Sequence, residues 1–133
     1  MPDVDFSSTV TKVVEPADCA SRWGNDGLNV LSTPAILGNM EQACVDALQA
    51  HLAPGEMTVG VKVEMHHRAP TPLGAEVEYR ISVRGDHPKF EVDFSVVDSA
   101  GTVVCEGKHR RAAVRVAAFV AKLEEVGRPA RTA

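Results

Sequence analysis

Long apolar runs are missing from this sequence, in which no stretch approaches the ~18 consecutive apolar residues that a membrane-spanning helix needs. Residues 1–6 also lack the basic and apolar regions with which a secretion signal opens. From these two absences we expect a cytoplasmic protein that has no membrane partner.

Basic residues are not in excess either. The chain of 133 residues has 14 Lys and Arg against 18 Asp and Glu, which gives a formal net charge of −4. Proteins that bind nucleic acid concentrate positive charge on one surface, whereas here the basic residues are dispersed among acidic ones. The composition therefore argues against a nucleic-acid partner and favours a small molecule or another protein.

Cysteine is scarce as well. Cys19, Cys44 and Cys105 form no C-x-x-C pair and have no neighbouring histidine cluster. Neither a disulfide framework nor a structural zinc site is predicted, and no pattern indicates a metal or a separate cofactor. We expect the three cysteines to be buried small apolar residues.

Two kinds of hydrophobic period follow one another in a chain whose length suits one core. From Pro34 to Leu52 no proline interrupts an apolar period of three to four residues, which predicts a helix of about five turns. Beyond it, apolar and polar residues alternate as in half-buried strands. The predicted strands cover residues 57–65, 75–84, 90–96 and 102–115, a weaker strand covers 9–14, and a short terminal helix covers 116–126.

Short turns between the later strands predict an antiparallel sheet. One helix does not cover both faces of a five-stranded sheet, so the sheet is expected to curl around a central helix. The sequence thus predicts one α+β domain over residues 1–133 with the hotdog fold, in which a curled five-stranded antiparallel sheet wraps a central helix and a short C-terminal helix follows. Residues 1–8 and 127–133 are expected to be frayed.

Two polar residues fall on surfaces that should be apolar. Glu41 lies within the apolar arc of the predicted helix, where an ionised carboxylate is costly unless it is paired or hydrogen-bonded. It either reaches water or an arginine from the edge of that arc, or belongs to a site. His67 shares the phase of Met57 and Met65 and should point toward the helix, as a core residue or as a catalyst. A bulge before Pro70 would reverse this orientation.

The last strand carries His109 and Arg111 on its otherwise apolar inner face. Arg111 needs an anion there, which is either Glu41 in an internal salt bridge or a carbonyl or phosphate of a substrate. Thr33 precedes Pro34 and is most economically interpreted as the N-cap of the helix, since its hydroxyl can accept from an unpaired helix N–H.

Several short motifs resemble those of fluoroacetyl-CoA thioesterase-like proteins over roughly residues 10–115. The joint spacing of a threonine, a glutamate, a glycine, a histidine and an arginine makes this resemblance specific. The motifs are Thr33-Pro34-Ala35, Glu41, Thr58-Val59-Gly60, HRAPTPLG at 67–74 and GKHRRA at 107–112.

The resemblance implies a homodimeric hotdog hydrolase whose sites lie at the subunit interface and whose substrate is an acyl-CoA or acyl-carrier-protein thioester. Within it, Glu41 is expected to act as base or nucleophile, His67 as proton relay or charge stabiliser, and Thr33 as a positioning hydroxyl. The positions expected to bind substrate are Gly60, His109 and Arg111. No cofactor is expected beyond the coenzyme A of the substrate.

Thr33 and Glu41 are separated by eight residues, over which a regular helix rises ~12 Å. Either the residues around Thr33 fold back before the helix, or Thr33 and Glu41 come from different subunits, or Thr33 only caps the helix. We favour the first two alternatives.

Residues 23–29, with the sequence WGNDGLN, differ from the phenylalanine-containing hydrophobic lid that the resemblance implies for the fluoroacetyl enzyme. A glycine-rich polar segment excludes water poorly, so a different or broader acyl group of small or medium size is expected. The rival hypothesis is a non-catalytic hotdog module that binds an acyl-CoA or a hydrophobic effector. A hotdog hydratase or dehydratase is the third alternative, and it lacks support because this sequence does not carry the Asp and His signature of hydratases at the helix entry.

Overall fold

The computed structural model describes residues 3–127. Its strands are β1 (Val4–Val13), β2 (Glu56–His67), β3 (Glu76–Asp86), β4 (Lys89–Asp98) and β5 (Val103–Arg115), and its α-helices are α1 (Thr33–Leu48) and α2 (Val116–Val126). The strands form one antiparallel sheet in the order β1, β3, β4, β5, β2, which leaves β1 and β2 at the edges. The sheet curls around α1, and the predicted hotdog fold is confirmed.

One side of α1 is buried against the sheet and forms the centre of the core. Its buried residues are Ile36, Met40, Ala43, Cys44 and Leu48. They join a cluster with inward side chains of the central strands, including Tyr79 and Phe90. Removal of this apolar surface from water holds the helix in the curled sheet. The three cysteines are free and buried, as predicted.

The first strand begins earlier than the sequence indicates. β1 starts at Val4 and pairs with β3 from that residue onward. Residues 4–8 therefore belong to a strand, and the expectation that they are frayed is wrong. At the other end, α2 has the predicted bounds, and residues 128–133 lie outside the described range. None of the described helices is long and apolar enough to span a membrane.

The N-cap of α1 is Ser32, so the interpretation of Thr33 as the cap is wrong. The Ser32 hydroxyl accepts a hydrogen bond from the Ala35 N–H at 3.2 Å. Thr33 and Pro34 are the first two residues of the helix, where proline is tolerated because an N–H at these positions would have no partner within the helix. The Thr33 hydroxyl is therefore available to a different partner.

A β-bulge divides β2 into two halves. Gly60 pairs with Arg111 and Lys62 pairs with Arg110, which leaves Val61 as the extra residue on β2. Because successive side chains on a strand alternate between its two faces, one extra residue reverses the alternation.

The reversal brings Thr58 to the inner face of the sheet. Thr58 is 6% exposed, whereas Met57 is 45% exposed. The prediction that Met57 shares the inward phase of His67 is therefore wrong. His67 follows the bulge and points toward α1 as predicted, because its ring bonds Thr33 of that helix.

Candidate active site

Arg111 has a hydrogen-bond partner for each nitrogen of its guanidinium group. It lies on β5 and is 3% exposed. Its Nε donates to Thr58 Oγ1 at 3.0 Å, and its Nη2 donates to the Thr58 carbonyl at 2.9 Å. Its Nη1 donates to Glu41 Oε2 at 2.9 Å and lies 3.1 Å from His109 Nε2. A buried charge requires such complete pairing.

Glu41 forms the internal salt bridge that was one of the two alternatives for Arg111. Its side chain is 38% exposed, and the ion pair uses Oε2. Over residues 3–127, no hydrogen bond is made to Glu41 Oε1. A carboxylate that is held through one oxygen keeps the lone pairs of the other for a water molecule or a substrate.

His109 is fixed through both of its ring nitrogens. Its Nδ1 lies 2.8 Å from the Lys62 carbonyl, which only accepts hydrogen bonds, and its Nε2 faces Arg111 Nη1, which only donates. These partners select the neutral ring with its proton on Nδ1. Burial lowers the pKa of His109 below its usual value, and the Arg111 charge acts in the same direction. A contact between His109 and substrate stays a prediction.

Gly60 makes room for the Glu41 carboxylate. A Cβ atom at position 60 would lie 2.5 Å from Glu41 Oε2 and 3.2 Å from His109 Cε1. The first of these distances is closer than real Cβ atoms come to any heavy atom. The absence of a side chain at Gly60 thus leaves the space in which the Glu41 carboxylate contacts Arg111. We call Glu41, Thr58, Gly60, His109 and Arg111 the Glu41 cluster.

Thr58 is the member of the Glu41 cluster that the sequence did not indicate as a site residue. Strict alternation along β2 predicts that its side chain faces outward. The signal for its true orientation is Gly60, since an isolated glycine within a strand often marks a bulge.

Two other predicted residues meet at the N-terminal end of α1. Thr33 Oγ1 lies 2.9 Å from His67 Nδ1, and both residues are exposed. An open cavity of about 220 Å³ is lined by His67, together with Val30 and Pro70. The hydroxyl and the imidazole thus form a polar pair that is accessible to a ligand.

The Glu41 cluster and the pair of Thr33 and His67 do not meet within one chain. Thr33 and Glu41 belong to one regular helix, along which they are ~12 Å apart. The alternative in which the residues around Thr33 fold back is wrong because Thr33 already lies in α1. The alternative in which Thr33 only caps the helix is wrong because Ser32 is the cap.

An open cavity of about 250 Å³ gives access to Glu41. Its wall includes Leu37 of α1 and Val61 and Val63 of β2. Over residues 3–127, no group of three or more His, Cys, Asp or Glu side chains is arranged to hold a metal ion. Lys62 and His109 also line the cavity, which thus presents the Glu41 carboxylate to a wall that is part apolar and part polar, at the edge of the sheet.

Comparison with known sequences matches this chain to a family profile and to a relative of known activity. A sequence profile of the fluoroacetyl-CoA-specific thioesterases matches residues 14–117. The fluoroacetyl-CoA thioesterase of Streptantibioticus cattleyicolor is 36% identical over 101 residues, which span 72% of this chain and 69% of that protein. The resemblance seen in the sequence motifs is thereby confirmed.

Solved structures agree with the sequence comparison. A crystal structure of a point mutant of the fluoroacetyl-CoA-specific thioesterase has a TM-score of 0.84 at 27% identity and covers 92% of this chain and 96% of that chain. A hot-dog-like protein from Thermanaerovibrio acidaminovorans has a TM-score of 0.86 at 26% identity, over 96% of this chain and 94% of that one. Because the profile, the relative and the solved structures agree, the chain belongs to the fluoroacetyl-CoA-specific thioesterase family and is a hotdog-fold thioester hydrolase.

Proposed function

We propose that this thioesterase hydrolyses acyl-CoA thioesters of small or medium acyl groups, and that the reaction depends on Glu41. The observation that carries this proposal is the carboxylate itself. Arg111 holds Glu41 Oε2 at 2.9 Å, while the Glu41 side chain lines an open cavity whose wall is partly apolar. Membership of the family supports the reaction class. No cofactor is proposed beyond the coenzyme A of the substrate, and the cytoplasmic location stays a prediction.

Hydrolysis requires an oxygen nucleophile to attack the thioester carbonyl carbon, the C–S bond to break and the leaving thiolate to receive a proton. Glu41 acts either as the base that takes a proton from water, or as the nucleophile that forms an anhydride which water then hydrolyses. Both routes require a carboxylate that is ionised and oriented. The hydrogen bond from Arg111 Nη1 to Glu41 Oε2 supplies the orientation.

A second copy of the chain completes the proposed site. β2 is an edge strand, and its Val61 and Val63 are 59% and 40% exposed. An exposed apolar edge presents unpaired backbone groups to which another strand can bind. Two β2 strands that pair antiparallel about a two-fold axis form a homodimer.

We place the two-fold axis of this dimer midway between Gly60 and His67 of β2, because this position brings the proposed catalytic groups of the two subunits together. Gly60 then lies opposite His67 of the partner subunit, and Glu41 meets the pair of Thr33 and His67 from that subunit. The imidazole carries a proton to the leaving thiolate, and the Thr33 hydroxyl, 2.9 Å from it, orients the ring. Each dimer has two such sites, related by the axis.

The segment over residues 23–29 supports an acyl group other than fluoroacetyl. Trp23 is 60% exposed and Leu28 is 52% exposed, and neither lines the cavity at Glu41. Gly24 and Gly27 have positive φ angles, a conformation that glycine adopts without strain. A loop of this kind does not form the closed apolar lid that selectivity for so small a group requires. A mutant of the fluoroacetyl enzyme has been crystallised with fluoroacetate and coenzyme A.

The function is tested with a panel of acetyl-, fluoroacetyl-, butyryl-, hexanoyl- and decanoyl-CoA, in which release of free thiol is followed colorimetrically. We expect turnover of the small and medium thioesters without preference for fluoroacetyl. The same acyl groups on an acyl carrier protein compare the two carriers. Tight binding without thiol release from any thioester would contradict the proposal and favour the non-catalytic module.

Gly60→Ala is expected to lower kcat by about 10²-fold, because displacement of a catalytic group by about 1 Å has an effect of that size. The added Cβ would lie 2.5 Å from Glu41 Oε2 and push the carboxylate away from Arg111. Gly38→Ala is the matched control, since a Cβ on that α1 residue meets no atom of residues 3–127 within 4 Å. Equal kcat values for the two variants would show that the space at Gly60 does not matter.

A further inference from the structure

Thr58 occupies one whole edge of the Arg111 guanidinium. The Nε–H and one Nη2–H project from the same edge of this planar group. Thr58 supplies an acceptor to each of them, its hydroxyl at 3.0 Å and its own carbonyl at 2.9 Å. Two bonds to a single residue fix both the plane and the direction of the guanidinium.

The remaining nitrogen, Nη1, is thereby aimed at Glu41. It lies 2.9 Å from Glu41 Oε2 and 3.1 Å from His109 Nε2. The His109 ring is held in place, because its Nδ1 is hydrogen-bonded to the Lys62 carbonyl at 2.8 Å and the ring is buried. Glu41, in contrast, has a flexible side chain that is 38% exposed. The location of its carboxylate therefore follows from the location of Nη1.

We propose that Thr58 is a positioning residue for thioester hydrolysis, which it serves by fixing Arg111 so that Nη1 holds the Glu41 carboxylate at the cavity. This inference rests on the proposed role of Glu41. Thr58 does not line the cavity, and within the described part of the chain its side chain hydrogen-bonds only to Arg111. Its effect on the reaction passes through the guanidinium.

Thr58→Val tests the proposal because it preserves the shape of the side chain and removes the acceptor for Nε. We expect kcat to fall about 10- to 100-fold while KM changes less than about twofold, since the carboxylate is misplaced and the cavity is unchanged. Thr58→Ser restores the hydroxyl and should keep at least half of the wild-type kcat. A purely structural role would lower the melting temperature of Thr58→Val without this loss of kcat.

Thr71→Val is the matched control. Thr71 is 1% exposed, and among the described residues its hydroxyl has no hydrogen-bond partner, so its loss removes a buried polar group and no bond. We expect wild-type kcat from this variant. A comparable loss in Thr71→Val and Thr58→Val would overturn the proposal.

A double substitution shows whether Thr58 acts through Arg111. Arg111→Lys removes the edge that Thr58 holds, so Thr58→Val should cause no further loss of kcat in that background. Losses that multiply would mean that Thr58 acts by another route, which would overturn the proposal.

An NMR measurement separates this inference from the proposed function. In ¹⁵N-labelled protein, the buried Nε–H of Arg111 should exchange slowly with water in the wild type and about tenfold faster or more in Thr58→Val. If the wild type hydrolyses no thioester, the proposed function is wrong. If it is active and neither kcat nor Nε–H exchange responds to Thr58→Val, only the role of Thr58 is wrong.

Discussion

Glu41→Gln is expected to lower kcat for thioester hydrolysis by about 10²- to 10⁴-fold while the protein keeps its fold. Glutamine has the size of glutamate, and its side-chain carbonyl can still accept the hydrogen bond from Arg111 Nη1. Its amide neither takes a proton from water nor attacks a carbonyl carbon. The substitution thus removes the chemistry of the carboxylate and retains its packing. Thiol release at saturating acyl-CoA measures kcat.

Glu78→Gln is the matched control for this measurement. Glu78 also pairs with an arginine, Arg80, at 2.8 Å, but this pair is on the surface, with side-chain exposures of 43% and 53%. An exposed pair contributes about 0–1 kcal/mol to stability, so we expect wild-type kcat and a nearly unchanged melting temperature. Wild-type kcat from Glu41→Gln, in a protein that unfolds normally, would remove Glu41 from the mechanism.

Acyl-CoA affinity should change much less than kcat in Glu41→Gln, because contacts to the rest of a large substrate are the same before and during the reaction. Isothermal titration with a non-hydrolysable thioether analogue measures this affinity. An equal loss of binding and of kcat/KM would instead make Glu41 a residue that binds substrate.

Periodicity predicts most of this fold, because burial of one face is a local property of the chain. α2 has the predicted bounds, and His67 has the predicted orientation. Besides the early start of β1, the exception is the first half of β2, where Met57 points outward and Thr58 points inward. The bulge that turns Thr58 inward depends on the pairing of β2 with β5, and a strict period of two does not encode that pairing.

The candidate site is less predictable because its contacts join distant segments. Glu41 and Arg111 are 70 residues apart in the chain, and the sequence left open whether Arg111 binds a carboxylate or a substrate. Ser32 and Thr33 are both good N-caps, so only the residue at which the backbone becomes helical decides between them. The partner of the Thr33 hydroxyl is His67, 34 residues away, and no local rule indicates such a contact.

The proposed division of each site between two subunits has a direct test in mixed dimers. Glu41→Gln and His67→Ala should each be nearly inactive alone. In a mixed dimer, one site combines both substitutions, whereas the other combines native Glu41 from one chain with native His67 of the partner subunit. If each chain contained its whole site, every site in the mixed dimer would carry one substitution.

Unfolding and refolding the two variants together at equal concentration should therefore restore activity. Random assortment makes half of the dimers mixed, and one of the two sites in each is native, so about a quarter of the wild-type activity is expected. Glu41→Gln refolded with Gly60→Ala is the control, since both substitutions fall in the Glu41 cluster and leave every mixed site damaged. Mixed dimers that are isolated by two affinity tags and remain inactive would contradict the shared site. Recovery only in the pair of Glu41→Gln and His67→Ala would mean that Glu41, which lies ~12 Å along α1 from Thr33 of its own chain, works with His67 of the partner subunit.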